Sequence, residues 1–501
     1  MHSDHPRKLL NTLTTFLTRP LDDVMAQHRD GDPRANAFGL FLHTLKDVPA
    51  YPRFLSDQGF AVESVKLPAD FARLPLMNKA NYMQVYSLPE RCSRGDLSRC
   101  NRLAVSSGST GTPTFWPRSV VHELEVAQRF EQVFRHSFSG HKRRTLAVVC
   151  FPLGNWVGGM YTASSCWHLA TKGYPLLVAT PGNKTDEILR VVRELAPEFD
   201  QTVLLGYPPY VKDVIDSGLS QGVDWSAYRI KLVFAGEVFS EEWRALIGER
   251  IGSTDPCYDS VSLYGTADGG VLGHETPLSI AIRRFLAQHP EAARELFGES
   301  RLPTLVQYDP MSRYLEVIDG TLAVTCDNGV PLVRYHIADR GGIASYEAML
   351  AFLREHGCDA LEEYGLRPGD NGYPLPFAWV FGRADFTVSF YGANIYPENV
   401  VVGLEQPEIC RSVSGKFVMQ THSDADGSAL LHIVVELLPG QEPGQVNGDA
   451  IADSIRREVL RLNSEFANYV PAARQTPQVE LRAFADPEYF PAGIKHRYTR
   501  R

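Results

Sequence analysis

Tyr174 to Tyr207 reads YPLLVATPGNKTDEILRVVRELAPEFDQTVLLGY. Its two ends, YPLLVAT and QTVLLGY, are short apolar runs of the kind buried on both faces of a sheet. Between them, NKTDEILRVVRELA sets Ile188, Val191, Val192 and Leu195 on one face of a helix, with Thr185 placed to cap it. The same texture extends outward, to RTLAVVCF before this stretch and to IKLVFAG and DSVSLYG after it. Strands alternating with helices in this way specify an α/β fold with a mainly parallel sheet covered by helices.

Further out the texture changes twice. Toward the N-terminus, NAFGLFLHTLKDV repeats Phe38, Phe41, Leu42 and Leu45 at helical spacing, an amphipathic helix among Pro-punctuated turns. Past Leu302, YLEVIDGTLAVTC and VPLVRYHIADRGG alternate as antiparallel hairpins do, with Asp319-Gly320 as a turn. After LRPGDNGYPLP comes a tail of distinct style. It contains a strand in FTVSFYG, a helix from near Pro397, strands in SVSGKFVMQ and ALLHIVVELL, a long helix carrying Ile451, Ile455, Val459 and Leu462, and a last strand in QVELRAF. The expected organisation is a large domain over 1–381 and a small mobile α+β domain over 382–501, which suits a chain of 501 residues.

Composition narrows the function classes. Hydrophobic residues at 44% and charged residues at 22% are globular values. Fifty basic against 59 acidic residues give a net charge of −9 with no basic run, which argues against wrapping nucleic acid or an anionic membrane. Thr145 to Thr171 has no charged side chain except histidine. It also carries Pro152, Asn155 and glycines, and reads as a buried strand and a Gly-rich turn rather than a span. The N-terminus lacks a signal-peptide pattern, and the eight cysteines are scattered without a CxxC pair, so a cytoplasmic protein is expected.

The strongest local motif is AVSSGSTGTPT, Ala104 to Thr114. Its glycines permit close backbone approach, and its hydroxyls and amides suit phosphate oxygens. No Lys follows, so it is not the P-loop of nucleotide triphosphatases. Alone it reads equally well as a surface turn. Downstream, in order, come AGEVF (235–239), LYGTADGG (263–270), RYHIADRGG (334–342), FGRADF (381–386), YGANIYP (391–397) and GIKHR with Lys495. With these motifs in this order the chain resembles the adenylate-forming superfamily of acyl-coenzyme A synthetases over about four-fifths of its length. Thr114, where most members carry Lys, and LPLMNKANY around Lys79 resemble the phenylacetate–coenzyme A ligase-like branch. Lys79 on its own reads as a solvated residue at a helix start.

The resemblance implies a ligase that joins a small-molecule carboxylic acid to ATP as an acyl-adenylate and then transfers the acyl group, with coenzyme A the expected acceptor. It implies that Ser106, Ser107, Gly108, Ser109, Thr110 and Gly111 cradle the β- and γ-phosphates, with Thr110 and Lys495 the expected catalytic residues. Lys495 would bridge the carboxylate and the α-phosphate, a role that suits a flexible point charge. Tyr264 would lie at the adenine, with Gly236 and Glu237 in the base pocket and Gly265 and Thr266 also binding the nucleotide. Asp339 and Arg383 would hold the ribose hydroxyls, Asp268 would hold Mg²⁺ as a hard oxygen ligand, and Asp385 would be the hinge. Trp156, Tyr207 and Tyr210 are candidates for the acid pocket, and equally for core packing.

Two departures matter. Where the superfamily has Tyr-Gly-x-Ser/Thr-Glu, this chain has Tyr264-Gly265-Thr266-Ala267-Asp268, losing a hydroxyl and shortening the acid. The terminal lysine also stands one residue further from Gly493 than in the commoner Gly-Lys pair. His274 and His289 lie where some members of the branch hold zinc, but no cysteine accompanies them, so no zinc site is expected. An amine or carrier-protein acceptor, or a nucleotide-binding regulatory protein without catalysis, remain alternatives. Homodimerisation stays open.

Overall fold

The computed structural model describes the whole chain except residues 1–3, 106–113, 156, 300–301, 367–371, 383–387, 392, 424–428, 492–495, 497 and 500–501. The expected parallel sheet and the expected hairpins prove to be one continuous sheet of 11 strands. A short antiparallel hairpin precedes it, β1 (Arg102–Val105) and β2 (Phe115–Arg118). The strands of the sheet are β3 (Thr145–Val149), β4 (Leu176–Ala179), β5 (Gln201–Gly206), β6 (Ile230–Ala235), β7 (Ser260–Thr266), β8 (Gly270–His274), β9 (Thr304–Gln307), β10 (Tyr314–Ile318), β11 (Thr321–Cys326), β12 (Leu332–Ala344) and β13 (Phe377–Gly382). Their order is β10-β11-β12-β13-β9-β8-β7-β6-β5-β3-β4. Pairings from β4 to β7 are parallel. Those from β7 to β10 are antiparallel.

The parallel half is apolar on both faces because helices cover both. Leu146, Val148, Leu204 and Leu232 join the core on one face, and Ala147, Val149, Val203, Leu205 and Val233 the core on the other. That alternation is the period-two rule of a strand buried on both sides. Each such Val or Leu contributes roughly 1.5–3 kcal/mol of transfer free energy. The helix in the decisive stretch spans Thr185–Leu195 and buries Ile188, Leu189 and Val192. Two details differ from expectation. Thr185 is the first helical residue rather than the cap, its hydroxyl lying 3.1 Å from that of Tyr210, and Leu195, on the last turn, is exposed. Leu42 is likewise exposed on the helix Pro33–Asp47, whose buried side is Ala37, Phe38, Phe41 and Thr44.

In the antiparallel half, Asp319 (φ 47°) and Gly320 (φ 73°) join β10 to β11 as a two-residue turn with both φ positive, the geometry that matches strand twist. Leu322, Val324, Val333 and Ile337 pack with Phe41, Tyr51 and Phe54 of the N-terminal helices. Among the described residues no helix is long and apolar enough to cross a membrane. The cysteines are free, and all but the half-buried Cys100 are buried.

Buried charge pins the N-terminal layer. The Asp309 carboxylate, 1% exposed, lies 2.7 Å from His28 Nδ1 and 3.3 Å from Arg129, and accepts the Met311 N–H at 3.0 Å. Against the cost of burial, Arg129 and His28 bring its pKa down to about 2. Asp309→Asn is therefore expected to cost about 3–5 kcal/mol near neutral pH, read as a lowered urea midpoint. Because the folded pKa lies below the unfolded one, this stabilisation is complete above the ordinary carboxylate range. It fades as pH falls toward about 2, where the variant and the parent should converge.

From Val388 onward the chain builds a separate core. Strands β14 (Val388–Phe390) and β15 (Ala393–Ile395) form a hairpin. Strands β16 (Val413–Ser423), β17 (Ala429–Leu437) and β18 (Gln478–Arg482) form a three-stranded sheet. Helices Pro397–Leu404 and Gly448–Leu462 pack on it through Val400, Ile451, Ile455 and Val459, with Phe417, Ile433 and Val435 facing them. Of the stripe that the periodicity picks out, Ile451, Ile455 and Val459 are in this core, whereas Leu462 is only half-buried and lines a cleft instead.

Candidate active site

In an open parallel sheet the strand ends carry the loops that can converge on a ligand. Here the carboxyl ends of β3, β5, β6 and β7 open into a cleft of about 2090 Å³. Phe151 and Pro152 follow β3, Tyr207 follows β5, Gly236 and Glu237 follow β6, and Tyr264 to Asp268 finish β7 and turn toward β8. Asp339, from the middle of β12, enters from the antiparallel half. Residues as far apart in the chain as Phe151 and Asp339 thus line one cleft. The expected site residues that are described, Tyr207, Tyr210, Gly236, Glu237, Tyr264, Gly265, Thr266, Asp268 and Asp339, all line this cleft. Ser106, Ser107, Gly108, Ser109, Thr110, Gly111, Trp156, Arg383, Asp385 and Lys495 lie outside the described residues. Of the β1–β2 pair, Val105 lines the cleft and donates its N–H to the Asn155 carbonyl at 2.9 Å.

Hydrogen bonds fix the two key carboxylates. The Tyr264 hydroxyl donates to Asp339 Oδ2 at 2.9 Å, both residues being buried. This couples the ring expected at the adenine to the acid expected at the ribose. Asp268 is also buried; its Oδ2 accepts from the Tyr335 hydroxyl at 2.7 Å, and its carbonyl accepts from Asn328 Nδ2 at 2.8 Å. Tyr335 lies within RYHIAD but carries no role in the motif reading. Its buried hydroxyl, one residue after Arg334, orients the acid that the Tyr-Gly motif supplies. Thr266 anchors its own turn by accepting the Gly269 N–H at 2.9 Å, and Arg118 Nη2 donates to the Ala267 carbonyl. At Ala267, where the superfamily carries a hydroxyl, a methyl group packs against the core.

The β6 end needs glycine for backbone reasons. Gly236 has φ +95°, a conformation side chains resist, while a Cβ there would meet the Tyr207 ring at an ordinary 3.5 Å. The hydroxyl of Tyr207 donates to Glu237 Oε1, and burial beside Glu237 raises its pKa well above the ordinary tyrosine value. Tyr210, pushed up to about 12 chiefly by burial, pairs with Thr185. Both tyrosines thus commit their hydroxyls within the protein while lining the cleft. Phe130, Phe151, Tyr161, Leu263 and Val271 complete an apolar wall. Phe130 lies on the helix Val120–Gln132, where no local motif marks it. Lys79 begins a single helical turn, as its surroundings suggest, yet it is only half-exposed and lines the cleft.

On the far side the C-terminal unit closes the cleft with Lys416, Glu436, His496 and Tyr498. Burial pushes His496 down to about 4, so its neutral ring donates Nε2–H to the Phe417 carbonyl at 2.7 Å. His274 is buried in β8 with its pKa pushed down to about 3 by burial, and His289 stacks on Phe285 at 4.1 Å.

Neither a protein-family model nor a curated relative matches this sequence. Solved structures do. A 2-hydroxyisobutyryl-CoA ligase in its postadenylation state superposes with a TM-score of 0.65 at 14% identity, over 93% of this chain and 88% of that one. This chain has the adenylate-forming ligase fold. A second structure of that ligase in the postadenylation state gives 0.63 at 15% identity, over 93% and 88% of the two chains. The same enzyme with 2-HIB-AMP and CoA in its thioesterification state gives 0.52 at 16% identity, over 97% and 91%. Within the ligase fold, the wall formed by β6, β7 and β12 is where this chain gathers Glu237, Tyr264, Asp268 and Asp339.

Proposed function

We propose that this chain is an AMP-forming acid–thiol ligase of the phenylacetate–coenzyme A ligase-like type. In the first step a carboxylate oxygen forms a bond to the α-phosphorus of ATP, and the α–β bridging P–O bond breaks to release pyrophosphate. In the second, the sulfur of coenzyme A attacks the acyl carbon and AMP leaves with the C–O bond electrons. The observation that carries this reading is the meeting of Tyr264, Asp268 and Asp339 in one cleft, with each carboxylate held by a tyrosine hydroxyl. Positioning and electrostatic stabilisation are the main tools of phosphoryl-group chemistry.

Asp339 is suited to accept both ribose hydroxyls, since a carboxylate gives a charge-assisted bidentate contact. Asp268 presents a carboxylate already oriented by Tyr335, and one such group fits Mg²⁺, which takes one or two carboxylates with water and phosphate oxygens. Mg²⁺ would neutralise charge on the triphosphate. Phe130, Phe151, Tyr161, Leu263 and Val271 suit an apolar acid. The separate core from Val388 onward supports a platform over 1–381 and a lid over 382–501. Coenzyme A as acceptor is supported by the ligase resolved with it.

Carboxylate-dependent exchange of pyrophosphate into ATP tests the reading directly, with a panel of aryl, alkyl and amino acids. Exchange is expected with at least one apolar acid, followed by thioester formation when coenzyme A is added. ATP binding without exchange for any acid would identify a regulatory nucleotide-binding protein instead. Products formed only with amines, detected by mass spectrometry, would reassign the acceptor.

A further inference from the structure

The helix Pro208–Ser220 leaves the cleft directly after Tyr207 and packs against β16 of the C-terminal unit. Asp213 on this helix is 8% exposed and forms an ion pair with Lys416 of β16. Lys416 Nζ also lies 3.4 Å from Glu436 of β17, which is fully buried. One cation therefore stands between a carboxylate of the platform and a carboxylate of its own unit. Close by, His496 and Tyr207 line the same cleft, and the Tyr207 hydroxyl donates to Glu237. His496 directly follows Lys495 in the chain.

We propose that the Asp213–Lys416 pair is a latch that holds the C-terminal unit over the cleft for adenylation and is released for acyl transfer, making Asp213 a positioning residue for the first half-reaction alone. The inference rests on the two-step function above. Its physical basis is an asymmetry. A buried ion pair is only weakly stabilising in net terms, because desolvation offsets most of the attraction. Such a pair holds one posture without making departure from it prohibitive. When the unit leaves, Lys416 keeps Glu436 as a partner, so no cation is stranded. Asp213 gains water as its helix is uncovered.

Asp213→Asn is the informative variant, because it cuts the tie while Lys416 retains Glu436 within the C-terminal unit. Hydrogen–deuterium exchange of the purified full chain, without any acid, reads the latch itself. Amides in 208–220 and 413–419 are expected to exchange about tenfold faster in the variant, and unchanged protection would overturn the proposal. With a competent acid, pyrophosphate exchange should fall about tenfold in kcat with KM for ATP within twofold. Consumption of added acyl-adenylate by coenzyme A should stay within twofold of the parent or rise. Asp213→Glu should recover most of the lost rate. An equal fall in both half-reactions, or a fall in neither, would also overturn it. If the parent shows no exchange with any acid, the proposed function fails, and the deuterium result still decides whether the pair tethers the unit.

Discussion

Lys495→Ala is expected to lower carboxylate-dependent pyrophosphate exchange by on the order of 10²–10³-fold while leaving ATP affinity within about twofold. Bringing a carboxylate against the α-phosphate joins two anions, and the barrier is set largely by charge that grows on the phosphorus oxygens. A cation placed there acts mostly on the transition state, so its removal lowers kcat rather than weakening nucleotide binding. The assignment comes from GIKHR and its place at the end of the C-terminal unit. Lys495→Arg should rescue poorly, because a planar guanidinium cannot follow the moving charge as an ammonium does. Titration with ATP by calorimetry and the exchange assay together check both halves. Exchange at the parental rate would remove Lys495 from the mechanism.

Asp339→Ala is expected to act on the other side of that division. Hydrogen bonds to a charged acceptor contribute about 1.5–3 kcal/mol each, so losing the proposed ribose contacts should weaken ATP binding by roughly 10–100-fold or more. The variant also removes the acceptor that Tyr264 uses at 2.9 Å, loosening the ring expected to lie at the adenine. Asp339→Asn keeps an oxygen acceptor for Tyr264 and should fall between the two. ATP, and AMP without any acid, are the ligands to titrate. If affinity and turnover both survive the alanine change, the RYHIAD motif serves the sheet alone.

Much of this arrangement is legible before any coordinates, for identifiable reasons. Parallel strands in the interior must be apolar on both faces, so β3, β5 and β6 announce themselves, and Asp319-Gly320 marks a turn that few other dipeptides form. Motif order then assigns Gly236, Glu237, Tyr264, Asp268 and Asp339 to one cleft, and the fold brings them there. What sequence does not show is partnership. Nothing local says that Tyr335 serves Asp268, that Tyr207 serves Glu237, or that Asp213 meets Lys416 some two hundred positions away. Those contacts depend on strand register and on how two cores face each other. Phe130 is invisible for the same reason, since a buried aromatic on an amphipathic helix looks alike whether it faces a core or a cleft.

The joining of both halves into a single sheet also bears on how the protein survives in a crowded solution. Two separate sheets would present four edges on which another chain could add a strand; one sheet presents two. Those two are short, β4 with four residues and β10 with five, and Leu177 and Val317 are their exposed large apolar side chains. The large sheet thus offers little template for strand-by-strand aggregation, and it does so through connectivity rather than through a charged surface.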